Sequence, residues 1–136
     1  MAWGRWLAPG GWAVLEEPDF GMWAGDADPV WATSPRTAWA AFPSLALSQG
    51  RSLLRQVHQL GLEDVGADAE IDIIQAGTDL AEFYRLSQAA LAGPKVQAGA
   101  LSREQATALT DRPGDDDFLA CGFVHIGVWG RRPPAK

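Results

Sequence analysis

Three carboxylates, Glu16, Glu17 and Asp19, follow a short apolar run, Trp12-Ala13-Val14-Leu15, with only Pro18 among them. Closely spaced carboxylates can orient a polar group of a substrate or take a proton from it. These three are therefore the catalytic candidates. Phe20, Trp23 and Trp31 come next in the chain and could wall an apolar ligand beside them. His125 lies inside the longest apolar run. There a histidine is either a core residue with its hydrogen bonds satisfied or a buried general base. It joins the aromatic residues as a substrate-binding candidate.

Other groups carry less chemistry. His58 has no second His or Cys at ligand spacing and reads as a solvent-edge residue. Asp115, Asp116 and Asp117 read as a solvated loop and not as a metal site. Cys121 is the lone cysteine, which excludes an internal disulfide and a multi-cysteine zinc site.

The elements that must position the candidates follow from pattern. The turn Ala8-Pro9-Gly10-Gly11 precedes a strand Trp12–Leu15, whose continuous apolar character predicts burial on both faces, with the acids just past its end. Residues 21–48 read as an aromatic-rich lid or substrate loop, with a short helix over Thr37–Phe42. Arg51–Leu60 reads as a helix with Leu53, Leu54, Val57 and Leu60 on one face and Gly61 at its C-terminal end. Leu62–Ile74 reads as an edge strand, with Ala67, Ala69, Ile71 and Ile73 on one face and Asp68, Glu70 and Asp72 on the other. A helical insertion, 78–111, begins with a helix capped by Thr78 or Asp79. Its inner side is Leu80, Phe83, Tyr84, Ser87 and Leu91, and Ala92-Gly93-Pro94 stops it. A capping box, Ser102 to Gln105, opens a second helix. Phe118–Trp129 is apolar in both alternating sets, which predicts a central strand covered on both faces. Gly122 and Gly127 in it suggest close approach by a helix or ligand.

The chain has 136 residues, 47% hydrophobic and 21% charged. That suits one α/β domain over 1–136. A net charge of −6 argues against a nucleic-acid backbone or an anionic membrane as partner. No apolar run is long enough to span a bilayer, and Pro9-Gly10-Gly11 interrupts any signal-peptide core, so a cytoplasmic location is expected.

PGGWAVLEEPD resembles the fifth strand and following loop of class I S-adenosylmethionine-dependent methyltransferases. Three further segments resemble the same family in the same order. Gly50-Arg51-Ser52-Leu53-Leu54 through Leu60-Gly61-Leu62-Glu63-Asp64-Val65 is similar to its helix and sixth-strand junction. Ala81-Glu82-Phe83-Tyr84-Arg85-Leu86 resembles its inserted helix, and Val128-Trp129-Gly130-Arg131-Arg132-Pro133 its last strand in bacterial small-molecule members. The resemblance implies a partial Rossmann-like sheet of the three C-terminal strands, the last strand central and antiparallel, with packed helices. It implies S-adenosylmethionine as the family's cofactor and a small-molecule methyl acceptor. The family's acidic-x-Gly-x-Gly donor turn and its ribose-binding acid have no counterpart here. The expectation is a substrate-side portion, inactive and unable to bind the donor alone, from a truncated frame, a split gene or a decayed copy. It would work with an N-terminal half-enzyme or self-associate through its exposed sheet edge. The alternative is a non-catalytic small-ligand-binding or interaction module.

Overall fold

The turn at Ala8–Gly11, closed by the Gly11 N–H donating to the Ala8 carbonyl at 2.8 Å, launches the first strand, β1, Trp12–Asp19. The computed structural model describes residues 6–20, 28–44 and 49–135, with the backbone alone at Trp39. Two long strands, β2 (Glu63–Gln75) and β3 (Leu119–Arg131), complete one sheet in the order β1-β3-β2. β3 lies between its neighbours and is antiparallel to both, which makes β1 and β2 parallel to each other. Among the described residues the helices are α1 (Ser34–Ala41), α2 (Gly50–Gln59), α3 (Asp79–Gln97) and α4 (Arg103–Asp111), with short 3-10 turns at Trp31–Thr33 and Arg112–Gly114. None is long and apolar enough to cross a membrane.

β1 is longer than its apolar run. It continues through Glu16, Glu17 and Pro18, so these acids lie within the strand and not past its end. The edge position allows this. Arg132 N–H donates to Gly11 and its carbonyl accepts from Gly10, so Arg132 and alternate β3 residues 130 to 124 turn their amides toward β1. Their partners are Ala13, Leu15, Glu17 and Asp19. Trp12, Val14, Glu16 and Pro18 thus turn their backbone groups outward, where a proline's missing N–H breaks no ladder. β1 is not buried on both faces: Val14 is 72% and Trp12 52% exposed.

The sheet is covered on opposite faces at opposite ends. Leu53 and Val57 of α2 pack with Leu62 and Val128, joined by Ala13, Leu15 and Ile126, on one face. Gly61 ends α2 at φ +70°, as its place predicts. The second core lies on the other face. Tyr84 and Ala81 of α3 and Ala106 and Leu109 of α4 close over Ile74, Phe118 and Ala120, with Trp31 in the middle. A bulge separates the two regions, because β3 advances three residues from Cys121 to Val124 while β2 advances two from Ile73 to Ile71. The bulge moves Leu119 and Cys121 to the face opposite Phe123 and His125. Past the reach of α2, Leu119, Cys121, Ile71 and Ile73 are therefore exposed, and β3 is central but not covered throughout.

Two helix readings change. The short helix expected within the lid is present and starts earlier: Asp28 accepts from the N–H groups of Val30 and Trp31 to start the 3-10 turn, and α1 follows over Ser34–Ala41 with Pro35 in its first turn. The rest of the predicted lid, 21–27 and 45–48, lies outside the described residues. Ala92-Gly93-Pro94 does not stop α3, which runs on to Gln97. Pro94 and Ala90, whose carbonyl the proline deprives of a partner, both face solvent, so water can satisfy it. The inner side of α3 is Ala81, Tyr84, Gln88 and Lys95, while Phe83 and Leu86 face out. Thr78 caps α3, and Ser102 and Gln105 form the reciprocal box at α4.

Candidate functional site

The site grows from the bulge. Where the ladder slips, the Phe123 N–H donates to Tyr84 Oη at 3.0 Å. Tyr84 in turn donates to Asp72 Oδ2 at 2.6 Å. A Cβ at residue 122 would collide with the Tyr84 hydroxyl, so Gly122 is what lets α3 reach the sheet here. Burial, and then the Asp72 carboxylate, push the Tyr84 hydroxyl far above its ordinary range, so it stays a proton donor to Asp72.

Asp72 Oδ2 also lies 3.3 Å from His125 Nε2, and Glu16 Oε1 lies 3.6 Å from His125 Nδ1. The imidazole is thus held between carboxylates from both neighbouring strands. Its side chain is 34% exposed, so His125 is neither a core histidine nor a buried base. It stands at the base of an open cleft of about 380 Å³ lined by Glu16, Asp68, Ala69, Glu70, Asp72, His125 and Gly127. Nothing lies within 4 Å of where a Gly127 side chain would begin, which leaves the floor open. With four carboxylates and one imidazole, such a cleft attracts a cation and offers a nitrogen base beside it. Among the described residues no group of His, Cys, Asp and Glu has the geometry of a metal site.

The predicted candidates separate. Glu16 enters the cleft, whereas Glu17, one residue on, projects from the opposite face and is exposed. Asp19 is fully buried and committed to structure: it accepts from the Arg51 N–H at 2.9 Å and from Arg51 Nε and Nη2 at 3.0 and 2.7 Å, fixing the start of α2 on β1. Phe20 packs on Phe123, ring centroids 4.2 Å apart, away from the cleft lining. Trp31 is not a ligand wall; it is 0% exposed, and its indole N–H donates to the Cys121 carbonyl at 2.8 Å. Trp23 lies outside the described residues.

Sequence reasoning missed Asp72 and Tyr84 as site residues. Asp72 was hidden in what reads as a wet acidic face. A usable signal was the chain's one tyrosine on the inner side of a helix, together with a glycine inside the most apolar strand. The acid run after α4 is also tied down, because Arg112 pairs with Asp28 at 2.6 Å, Asp115 at 2.9 Å and Asp117 at 2.7 Å. Burial draws the Asp28 carboxyl upward, but the N–H of Trp31 and the Arg112 guanidinium outweigh it and hold it below the usual carboxylate range. No protein-family model matches the sequence, and comparison with curated proteins gives no match.

Proposed function

We propose that this chain is the substrate-side portion of a class I, Rossmann-like S-adenosylmethionine-dependent methyltransferase, and that the His125 cleft holds a small cationic methyl acceptor. The observation that carries the reading is the strand arrangement, with the last strand antiparallel between two mutually parallel neighbours. The four sequence segments that resemble the family fall on these strands and their helices in the family's order. In the cleft, Glu16, Asp68 and Glu70 attract the cation. His125 accepts a proton from the bound group, and Asp72, fixed by Tyr84, orients the imidazole.

The donor itself does not fit the residues described. Its cradle needs several glycines bringing N–H groups to a helix start after a strand. Here the positive-φ glycines, Gly10, Gly61, Gly77 and Gly99, occur one to a turn. Of these described glycines only Gly77 joins a strand to a helix, and there the Thr78 hydroxyl already accepts from the Ala81 N–H. The misfit agrees with a substrate-side portion whose donor half is supplied elsewhere and equally with the second reading, a non-catalytic module that binds the same cation.

The test has two stages. Calorimetry with primary and secondary amines, phenols and carboxylates should show saturable binding of amines alone, lost in Asp68→Asn/Glu70→Gln. A fusion behind the donor-binding strands of a class I methyltransferase should then methylate the bound amine, with turnover reduced about 100-fold or more in His125→Ala. Absence of amine binding removes both readings. Amine binding with methylation indifferent to His125 removes the catalytic one.

A further inference from the structure

The outer edge of β1 is unlike the outer edge of β2. Glu63, Asp64, Asp68, Glu70 and Asp72 run along β2, so pairing that strand with its own copy would set acid against acid. On β1 the acids sit at one end only. Trp12 and Val14, both exposed, occupy the other, with Arg131 on β3 opposite Trp12. The Arg131 and Arg132 side chains donate to the carbonyls of Gly10 and Leu7, which holds two cations beside the start of β1.

We propose that two copies of this chain pair antiparallel through β1, on a two-fold axis at Val14, into one six-stranded sheet. The register follows from three constraints. The outward backbone groups are those of Trp12, Val14, Glu16 and Pro18, so pairing must match these positions with one another. A centre at Val14 sets Val14 against Val14 and Trp12 against Glu16, each an exchange of N–H and C=O bonds. It also sets Pro18, which has no N–H, against Gly10, whose N–H already donates to the Arg132 carbonyl at 3.0 Å. No donor is stranded and no carboxylate faces another. The same register brings the acidic end of each strand, Glu16 and Glu17, toward the arginine-bearing end of the other copy. Self-complementarity of this kind is what a closed, isologous contact requires. The apolar side chains of Trp12 and Val14 then form a continuous strip across the join, and the edge is closed.

The pairing has a consequence for the cleft that rests on the ligand reading above: Trp12 of the second copy stands beside Glu16, at the β1 side of the cleft. The pairing itself does not depend on that reading.

The experiment reads register and mass separately. In a Cys121→Ser background, Val14→Cys should give a covalent dimer with a short bis-methanethiosulfonate reagent, since Cα atoms of a hydrogen-bonded antiparallel pair lie about 5.5 Å apart, within the span of the reagent though too splayed at Cβ for a direct disulfide. Trp12→Cys should cross-link with Glu16→Cys in a mixture and not with itself. Light scattering on the full chain should give twice the monomer mass, and Val14→Arg, a change at an exposed position that leaves circular dichroism unchanged, should return the monomer mass. A monomer at about 100 μM chain, or a dimer that survives Val14→Arg and cross-links through Ile73→Cys instead, would overturn the proposal.

Discussion

At the scale of single residues, the carboxylates near the chain start divide by what each touches. Asp19 is buried against Arg51 and the first turn of α2, so Asp19→Asn should lower unfolding free energy by about 2–4 kcal/mol. Urea denaturation measures this, and amine binding at the cleft should remain as in the parent chain. Tyr84→Phe removes the acceptor of the Phe123 N–H and the donor to Asp72 together. It should destabilise by about 1–3 kcal/mol and also weaken ligand binding, because His125 loses a fixed neighbour. Lys95 has a different signature. It is 1% exposed, with its amine donating to Gln88 Oε1 at 2.7 Å, and Gln88 donates to Ser34 Oγ at 2.9 Å. Burial lowers its pKa to about 8 from 10.5. The unfolded chain keeps that proton up to the higher value, so unfolding takes up a proton between the two, and stability rises with pH across that window. The gain should be about 3 kcal/mol, and Lys95→Met should abolish the slope between pH 8 and 10.5 in denaturant titrations.

At the scale of elements, the bulge in β3 explains both what the sequence pattern reveals and what it hides. Alternation placed β2 and β3 correctly because strand periodicity survives any local slip. It could not place the slip itself, which depends on Gly122 meeting Tyr84 across 38 residues of chain. Hence Leu119 and Cys121 change faces, and Asp72 turns from a wet residue into the partner of His125. The α3 helix was legible at its Thr78 cap and not at its end or inner face, because Gln88 and Lys95 are buried polar residues and Pro94 is an exposed one. Of the site, Glu16 and His125 were readable from residue type, whereas the separation of Glu16 from Glu17 needed the strand to extend past Leu15. Gly122→Ala tests the central element directly. With Tyr84 and the Asp72 side chain in the way of a Cβ, it should destabilise by about 1–3 kcal/mol. The chemical shift of His125 should move with it, since the side chain that fixes Asp72 must shift.

At the scale of the whole molecule, the cover of the sheet is uneven. α2 shields one face beside β1, and α3 and α4 shield the other face beside the bulge, leaving Trp12 and Val14 bare on one side and Ile71, Ile73 and Leu119 bare on the other. A donor nucleoside needs a pocket between helix starts and strand ends, with glycine N–H groups and a free acid. The acid at the end of β1, Asp19, is instead engaged by Arg51, and the glycine turn that joins strand to helix among the described residues, at Gly77, is closed by the Thr78 cap. S-adenosylmethionine should therefore give no saturable heat with this chain in calorimetry at micromolar to millimolar donor, whether the chain is a monomer or the β1-paired dimer. An amine ligand should bind the same sample, which shows that the protein is folded and its cleft open. Micromolar donor affinity would mean that residues outside 6–20, 28–44 and 49–135 build the cradle, and a repeat with Asp19→Asn would then show whether Asp19 leaves Arg51 to hold the ribose.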